Sequence, residues 1–415
     1  MTLIVMRTGE PITCTIETLA YGGDGLARVD GRVVFIPGTI TGETLCARVT
    51  ALKKNYARAE PLEILSPSPF RIDPCCRVPD PDRDALCRIP GCVYDHLAYG
   101  FERETKQRQL ESFLRRLPQN TDVPFLPPFA SPAPLHYRNK IVLHTDRRSG
   151  RMRLGYRMEP SHRVLDIHAC PLACEAINVE LARLRASDTF NRLPPDGDVT
   201  LRYTPHDGAV GWMNDEASIT ACPDFLTETS IAGPLRVPRD GFFQVNPAVG
   251  DTLVRTVAEW FVQCPDAAGI LDLYCGVGVF GFACMQAGGT RLTGIESGHA
   301  AVAAARLNAA ALGIPAEFQC RALGHDARPL QGLLSDPGHT TAIIDPPRDG
   351  LPRDTALALA ASGLRRILYV SCDPATLARD LALLLRCGYR LTQARLFDMF
   401  PRTAHFESLV DLRLG

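Results

Sequence analysis

In residues 368–381, LYVSCDPATLARDL, an apolar run closes on Ser371 and Cys372, and Asp373-Pro374 leads into a helix-like pattern. A cysteine at the mouth of a buried strand can be inert packing, a redox thiol, a metal ligand or a nucleophile. A helix starting directly behind it would aim its positive end at the thiol and lower its pKa, favouring the thiolate that a nucleophile needs. Asp345 opens the Asp-Pro-Pro of IIDPPRDGL at another strand terminus, where the prolines stiffen the loop behind it. Glu407 follows His405 by two residues in an otherwise apolar run, a setting that suits a base better than a solvated surface carboxylate.

A glycine loop supplies the ligand side. Gly276-Val277-Gly278-Val279-Phe280-Gly281 satisfies G-x-G-x-x-G, with the acid Glu296 about 20 residues beyond its start. A nicotinamide dehydrogenase reads this way. An S-adenosylmethionine site does too, because both ligands carry a ribose diol and both need close approach of the backbone. The strands downstream arbitrate. An acid-Pro-Pro loop suits methyl transfer to a planar nitrogen or carbon centre, whereas hydride transfer has no use for it and leaves Cys372 and Glu407 without a task. A non-catalytic RNA-binding module is the alternative of another class; it predicts decay of a cysteine–glutamate pair that is present here.

The elements that must position these residues fall into three regions. Residues 1–66 read as a small all-β unit in which glycine turns separate runs such as RVVFIPG and ETLCARV. That spacing suits a barrel of the oligonucleotide-binding kind, with Lys53, Lys54, Tyr56 and Arg58 near its end. Residues 67–236 hold a cysteine group, a helical pattern over 99–117 and a basic strip. The strip comprises Arg138, Lys140, Arg147, Arg148, Arg151, Arg153, Arg157 and Arg163, opposed by Asp146 and Glu159. Residues 237–415 alternate strands and helices, the signature of a doubly wound parallel sheet whose ligands sit at the carboxyl ends of the strands.

Bulk properties set the context. Lys and Arg number 45 against 46 Asp and Glu, so the strip is a local feature within a chain of net charge −1. No apolar run approaches the ~20 residues that span a bilayer, and the N-terminus lacks the layout of a secretory signal. A cytoplasmic protein with no membrane partner is expected. Fifteen cysteines are many for a reducing compartment, where grouped cysteines point to metal or catalysis rather than disulfides. Cys75-Cys76, Cys87 and Cys92 fall close together. Soft thiolates in a group suit zinc or an iron–sulfur cluster, and spacing does not separate the two.

GFFQVN (241–246), DLYCGVG, DPPRDGL, YVSCDPATLARDL and DMFPRTAHFE occur in this order, and through them the chain resembles the RNA (uracil-5-)-methyltransferases over nearly its whole length. The resemblance implies an α/β fold: a Rossmann-like S-adenosylmethionine-dependent methyltransferase domain over 237–415, preceded by a small OB-like β-barrel of the TRAM type over 1–66 and a central cysteine-containing α+β domain over 67–236. It implies that Cys372 adds to carbon 6 of a uracil and that Glu407 removes the carbon-5 proton after methyl transfer. Gln244, Tyr274, Gly276, Gly278, Glu296 and Asp345 match positions for cofactor or uracil contact. Cys76, Cys87, Cys92 and Cys170 match the ligands of a structural [4Fe-4S] cluster, with Cys75 competing for the first place and Cys174 a spare for the last. A C-x4-C spacing stands where the family has C-x2-C. Val279 and Ala322 replace a polar residue and an asparagine of relatives, so two hydrogen bonds to the cofactor are expected to be missing. The barrel and the cysteine set resemble the 23S ribosomal RNA enzymes more than the transfer RNA enzyme. The expected partner is therefore 23S rRNA, with tRNA as the alternative, and the expected state is a monomer.

Overall fold

The computed structural model describes the chain except residues 1–5, 81, 83–84, 119–122, 149, 160, 214–218, 220–221, 267, 325–329 and 331–335; of Arg148 it describes the backbone alone. The chain forms two compact units, one of residues 1–109, 156–167 and 400–405, the other of 110–155, 168–399 and 406–415. Among the described residues no helix is long and apolar enough to cross a membrane.

In the first unit, Pro11–Thr15, Thr18–Leu19, Gly25–Val29, Arg32–Ile36, Thr44–Leu52 and Tyr56–Ser66 make a six-stranded sheet. Strict alternation along Pro11–Thr15 turns Ile12 and Cys14 inward, where they join Ile16, Val34, Ile36, Leu45 and Val49 in one core. Three register irregularities between Thr44–Leu52 and Tyr56–Ser66 bend these long strands. A hairpin of Arg77–Asp80 and Ala85–Arg88 follows in the chain. Arg163 of the basic strip is ion-paired to Asp80 and Asp82 of this hairpin region, so it is committed to the fold.

The second unit carries the expected α/β sheet. Its strands are β1 (Gly269–Leu273), β2 (Arg291–Glu296), β3 (Ala316–Cys320), β4 (Thr340–Ile344), β5 (Arg366–Ser371), β6 (Tyr389–Phe397) and β7 (Glu407–Leu414). They lie in the order β3-β2-β1-β4-β5-β7-β6. The first five are parallel, and β7 runs antiparallel between β5 and β6. Every residue of β1, β4 and β5 is buried, which is why these strands read as unbroken apolar runs. The helices that accompany them are α1 (Pro247–Phe261), α2 (Val279–Gln286), α3 (His299–Leu312), α4 (Arg353–Ala361) and α5 (Pro374–Arg386). Helix α5 buries Leu377, Leu381, Leu384 and Leu385, a helical stripe in which each leucine contributes roughly 1.5–3 kcal/mol of transfer free energy.

One buried ion pair fixes the register that matters most. Arg366 on β5 grips Asp411 on β7 through two parallel hydrogen bonds of 2.9 and 2.8 Å, and its third nitrogen donates to the Phe261 carbonyl at 3.2 Å. Outside the main sheet, Arg151–Arg157, Lys140–Arg148, Asp198–Thr204 and Gly208–Met213 pair antiparallel in that order. On them Arg147, Arg151 and Arg157 are exposed, while Arg153 is buried.

Candidate active site

At the carboxyl end of β1 the chain turns sharply enough to put Tyr274, Gly276 and Gly278 at φ values of 60°, 53° and 94°. The left-handed backbone is ordinary for the glycines and uncommon for Tyr274. A Cβ on Gly278 would lie 2.6 Å from the Phe282 ring, whereas a Cβ on Gly276 would meet nothing within 4 Å. Gly276 lines a cavity of ≈ 570 Å³, solvent-open part included, together with Gln244, Tyr274, Cys275, Val279 and Asp345. Its N–H donates to Glu296 Oε2 at 3.1 Å, and Glu296 Oε1 accepts from Gly298 N at 2.8 Å, so the acid at the end of β2 braces the loop. Beneath the loop Asp272 is fully buried, and its Oδ2 accepts from Gly281 N at 3.0 Å. Its Oδ1 has no partner among the described residues, and burial pushes its carboxyl up to about 8.

The second group stands where β4 and β5 end and the antiparallel β7 begins. The β5–β7 ladder closes on Ser371 opposite Ser408, and Cys372 and Glu407 are the next residues on the two strands. Asp345 is the residue after β4, its N–H donating to the Leu273 carbonyl at 3.3 Å. Burial raises the Asp345 carboxyl to about 7. Burial also lifts Glu407 well above the usual carboxylate range, with the Asp345 charge adding and Arg348 opposing. Glu407 Oε2 has no hydrogen-bond partner among the described residues. Both carboxyls therefore hold a proton more tightly than an ordinary carboxylate does.

The Cys372 thiol goes the opposite way from the sequence expectation. It is pushed up to about 12, by burial first and then by the charges of Glu407 and Asp345, with Arg348 opposing. Helix α5 does begin at Pro374, but Asp373 caps it, Oδ1 accepting from Ala375 N at 2.9 Å and Thr376 N at 3.0 Å. The capping carboxylate offsets the positive helix end, and the charges of Glu407 and Asp345 bear on a thiol that the sequence suggested had one helical partner.

Several residues hold this geometry and escaped the sequence reading. Asp380 accepts from Leu351 N at 2.7 Å and from the Tyr369 hydroxyl at 2.8 Å. Arg379 donates to the Asp349 and Leu351 carbonyls at 2.7 and 3.1 Å, so α5 clamps the loop that follows Asp345. A Cβ on Gly350, at φ +71°, would lie 2.5 Å from Asp380 Oδ2. On the cavity's other wall, Asn246 Nδ2 reaches Ser131 Oγ at 3.0 Å, and Arg202 donates to the Gly241 carbonyl at 3.2 Å, which pins the segment that carries Gln244. ARDL and GFFQVN gave no signal for these roles, because the partners lie far away in sequence.

The grouped cysteines are a separate matter. Val78 pairs with Cys87 in the hairpin, and Ile89 N donates to the Cys76 carbonyl at 2.9 Å, which puts Cys76 and Cys87 on one face of it. Cys92 follows in a turn, its N–H donating to the Ile89 carbonyl at 3.1 Å. Cys76, Cys92 and Cys170 are buried and Cys87 is half-buried. Cys75 lies 3.9 Å from Cys76 between the sulfurs and also faces the Asp95 carbonyl. Among the described residues no three His, Cys, Asp or Glu side chains converge closely enough to hold a metal ion.

Residues 234–414 match the family model described as tRNA (Uracil-5-)-methyltransferase, and residues 6–62 match that of the TRAM domain. An RNA methyltransferase of Streptomyces coelicolor is 32% identical, over 98% of this chain and 94% of its own. One of Thermosynechococcus vestitus is 30% identical over 98% of both. The 23S rRNA (uracil(1939)-C(5))-methyltransferase RlmD of Pseudomonas aeruginosa is 29% identical, over 98% of this chain and 95% of its own. The same fold occurs in the Pyrococcus abyssi tRNA (uracil-54, C5)-methyltransferase solved with S-adenosyl-L-homocysteine, at a TM-score of 0.74 and 23% identity over 97% of this chain and 100% of that one.

Proposed function

This chain belongs to the RNA (uracil-5-)-methyltransferase family, and we propose that it methylates carbon 5 of a uridine in 23S ribosomal RNA, with Cys372 as nucleophile and Glu407 as base. Carbon 5 of uracil is too weak a nucleophile to take a methyl group directly. Once its proton has passed to solvent, the Cys372 thiolate adds to carbon 6 and turns the ring into an enolate whose carbon 5 can attack an electrophilic methyl. S-Adenosylmethionine supplies that methyl when bound. Carbon 5 then carries both the methyl group and its original hydrogen. The Glu407 carboxylate takes the proton, the 5,6 double bond re-forms, and the Cys372 thiolate leaves. The observation that carries this reading is the meeting of Cys372, Glu407 and Asp345 at the ends of three neighbouring strands.

Gln244, Tyr274, Gly276, Gly278, Glu296 and Asp345 serve cofactor or uracil binding in this scheme. The empty space where Gly276 would carry a Cβ, and a Tyr274 hydroxyl with no partner among the described residues, support it. Val279 and Ala322 offer no side-chain hydrogen bond, so two polar contacts to the cofactor are missing from this scheme. The uridine must leave its stack to reach the thiol. We assign RNA gripping to residues 1–66 and the basic strip within 67–236, chemistry to 237–415, and a cytoplasmic monomer as the working form. Ribosomal rather than transfer RNA is favoured by the likeness to the P. aeruginosa enzyme along nearly the full chain. RNA transcripts labelled with tritium at uracil carbon 5 test the reading: tritium should be released with S-adenosylmethionine from ribosomal and not transfer RNA. Release from transfer RNA alone would reverse the substrate assignment, and release from neither would overturn the activity.

We also propose a structural [4Fe-4S] cluster on Cys76, Cys87, Cys92 and Cys170. Its support is the donor set: thiols, buried or half-buried, of which Cys76 and Cys87 share one hairpin face. No step of the reaction runs through it. Anaerobically purified protein should be brown and hold iron and sulfide, and Cys76→Ser should lose both along with thermal stability. Colourless protein with an unaltered melting temperature in Cys76→Ser would remove the cluster from the account.

A further inference from the structure

Glu102 and Lys106, one turn apart on the helix Tyr99–Leu114, are fully buried charges that the methyl-transfer scheme does not use. Up to Gln109 this helix belongs to the first unit, where Gln109 donates to the Leu19 and Ala20 carbonyls at 3.2 and 3.0 Å and so ties it to the six-stranded sheet. The hydrogen bonds of Glu102 and Lys106 reach residues 400–405, a segment of the same unit. Glu102 Oε1 accepts from Lys106 Nζ at 2.8 Å and from Arg402 N at 2.7 Å. Lys106 Nζ also donates to the Phe400 carbonyl at 3.1 Å. The Arg402 guanidinium donates to the Leu97 carbonyl at 2.6 Å, and the Arg402 carbonyl accepts from Tyr94 N at 3.0 Å. These bonds hold Arg402 at φ 67°, a left-handed backbone that is uncommon for a residue with a side chain. Ala404 completes the anchorage by entering the apolar core of the six-stranded sheet.

Burying two charges is costly, and apolar side chains of similar volume would join a helix to a loop at least as well. What apolar contacts lack is direction. Here the bonds go to the Phe400 carbonyl and the Arg402 N–H, so they specify the path of the segment as well as its attachment. The chain leaves the first unit after His405, and Glu407 opens β7 two residues further on. Two residues span at most about 7 Å, a link too short to absorb a displaced segment. Beyond Glu407, β7 is locked by the grip of Arg366 on Asp411. Along the chain, Glu407 therefore stands between two buried anchors, Arg402 and Asp411. We propose that Glu102 and Lys106 are positioning residues for methyl transfer: by fixing residues 400–405 they set where Glu407 stands, and so govern proton removal from carbon 5. The proposal rests on the reading of Glu407 as the base.

The test compares two rates in the full chain at saturating RNA. Trapping by 5-fluorouracil-substituted RNA with S-adenosylmethionine needs addition and methyl transfer only, whereas tritium release from carbon 5 also needs the base. Glu102→Gln and Lys106→Met should each slow tritium release several-fold and leave the trapping rate at its wild-type value. With ordinary uridine-containing RNA, a covalent protein–RNA species should build up in both. The double variant leaves neither charge without the other, so it should show the same split with a higher melting temperature than Lys106→Met. A role confined to stability would slow trapping and release by the same factor, through loss of folded protein. Equal slowing of the two, or no change in either rate in the double variant, would overturn the proposal. Failure of the reading beneath it would look different: Glu407→Gln would release tritium at the wild-type rate, or wild-type protein would trap no RNA.

Discussion

Cys372 and Glu407 stand on antiparallel neighbours, each one residue beyond the Ser371–Ser408 rung that ends the β5–β7 ladder. At the opposite end of the same ladder, Arg366 and Asp411 are locked by two parallel hydrogen bonds. A one-residue slip would turn every side chain of β7 to the other face. The buried pair therefore does more than stabilise the sheet: it fixes which residue of β7 can reach the thiol.

Asp411→Ala should accordingly be severe. It leaves the Arg366 guanidinium buried without its counter-ion, at a cost of roughly 3–5 kcal/mol. Denaturant unfolding should record that loss. A double change of Arg366 and Asp411 to apolar residues of similar volume should recover much of the stability while methylation stays low, since the register lock is gone.

Glu407→Gln should separate the two halves of the reaction. Addition and methyl transfer need no base at carbon 5, whereas release does. Turnover should fall by roughly 10²–10⁴-fold, the usual contribution of a positioned base. With ordinary uridine-containing RNA, a covalent protein–RNA species should persist on a denaturing gel. Wild-type turnover in this variant would remove Glu407 from the mechanism.

Alkylation of Cys372 by iodoacetamide, followed by peptide mapping, reads the electrostatics of the site directly. With the thiol pushed up to about 12, labelling at neutral pH should be slow. Glu407 is raised well above the usual carboxylate range, so Glu407→Gln should match wild type while that carboxyl is protonated. As pH rises and Glu407 ionises, the variant should label faster than wild type. Arg348→Ala should shift labelling the other way, because it deletes the cation that favours the thiolate.

The strands, the glycine loop and the strand-end positions of Asp345 and Cys372 were legible in the sequence, because each is written in a short local pattern: apolar runs ending in Asp345 or Cys372, and glycines where φ must be positive. Local pattern alone misjudged the thiol. A helix start behind Cys372 is local information, whereas the charges of Glu407 and Asp345 arrive from other strands, and the Asp373 carboxylate caps the helix start itself. Asp380 and Arg379 look like an ordinary solvated helix turn in ARDL, yet they clamp the loop after Asp345 through contacts made on folding.

Asp272 gives a stability prediction with a definite sign. Its folded-state carboxyl, pushed up to about 8, lies above its ordinary value of 3.8, so the folded state binds the proton more tightly than the unfolded chain. Stability is then greatest below the unfolded value and is lost as pH rises through that window. Asp345, raised to about 7, adds to the trend. At roughly 1.4 kcal/mol per pKa unit the effect of Asp272 alone reaches several kcal/mol. Asp272→Asn should flatten the dependence of melting temperature on pH between about 4 and 8. An equally steep dependence in the variant would show that the carboxyl is not the source.

The central claim is that Cys372 forms a bond to carbon 6 of a uracil in RNA. It is tested most directly with RNA in which 5-fluorouracil replaces uracil, since fluorine at carbon 5 cannot leave as a proton does. Incubated with S-adenosylmethionine and run on a denaturing gel, wild-type protein should give a covalent protein–RNA band with ribosomal RNA, and Cys372→Ala should give none. A band of equal strength in Cys372→Ala, or no band with any RNA despite measurable cofactor binding, would contradict the account.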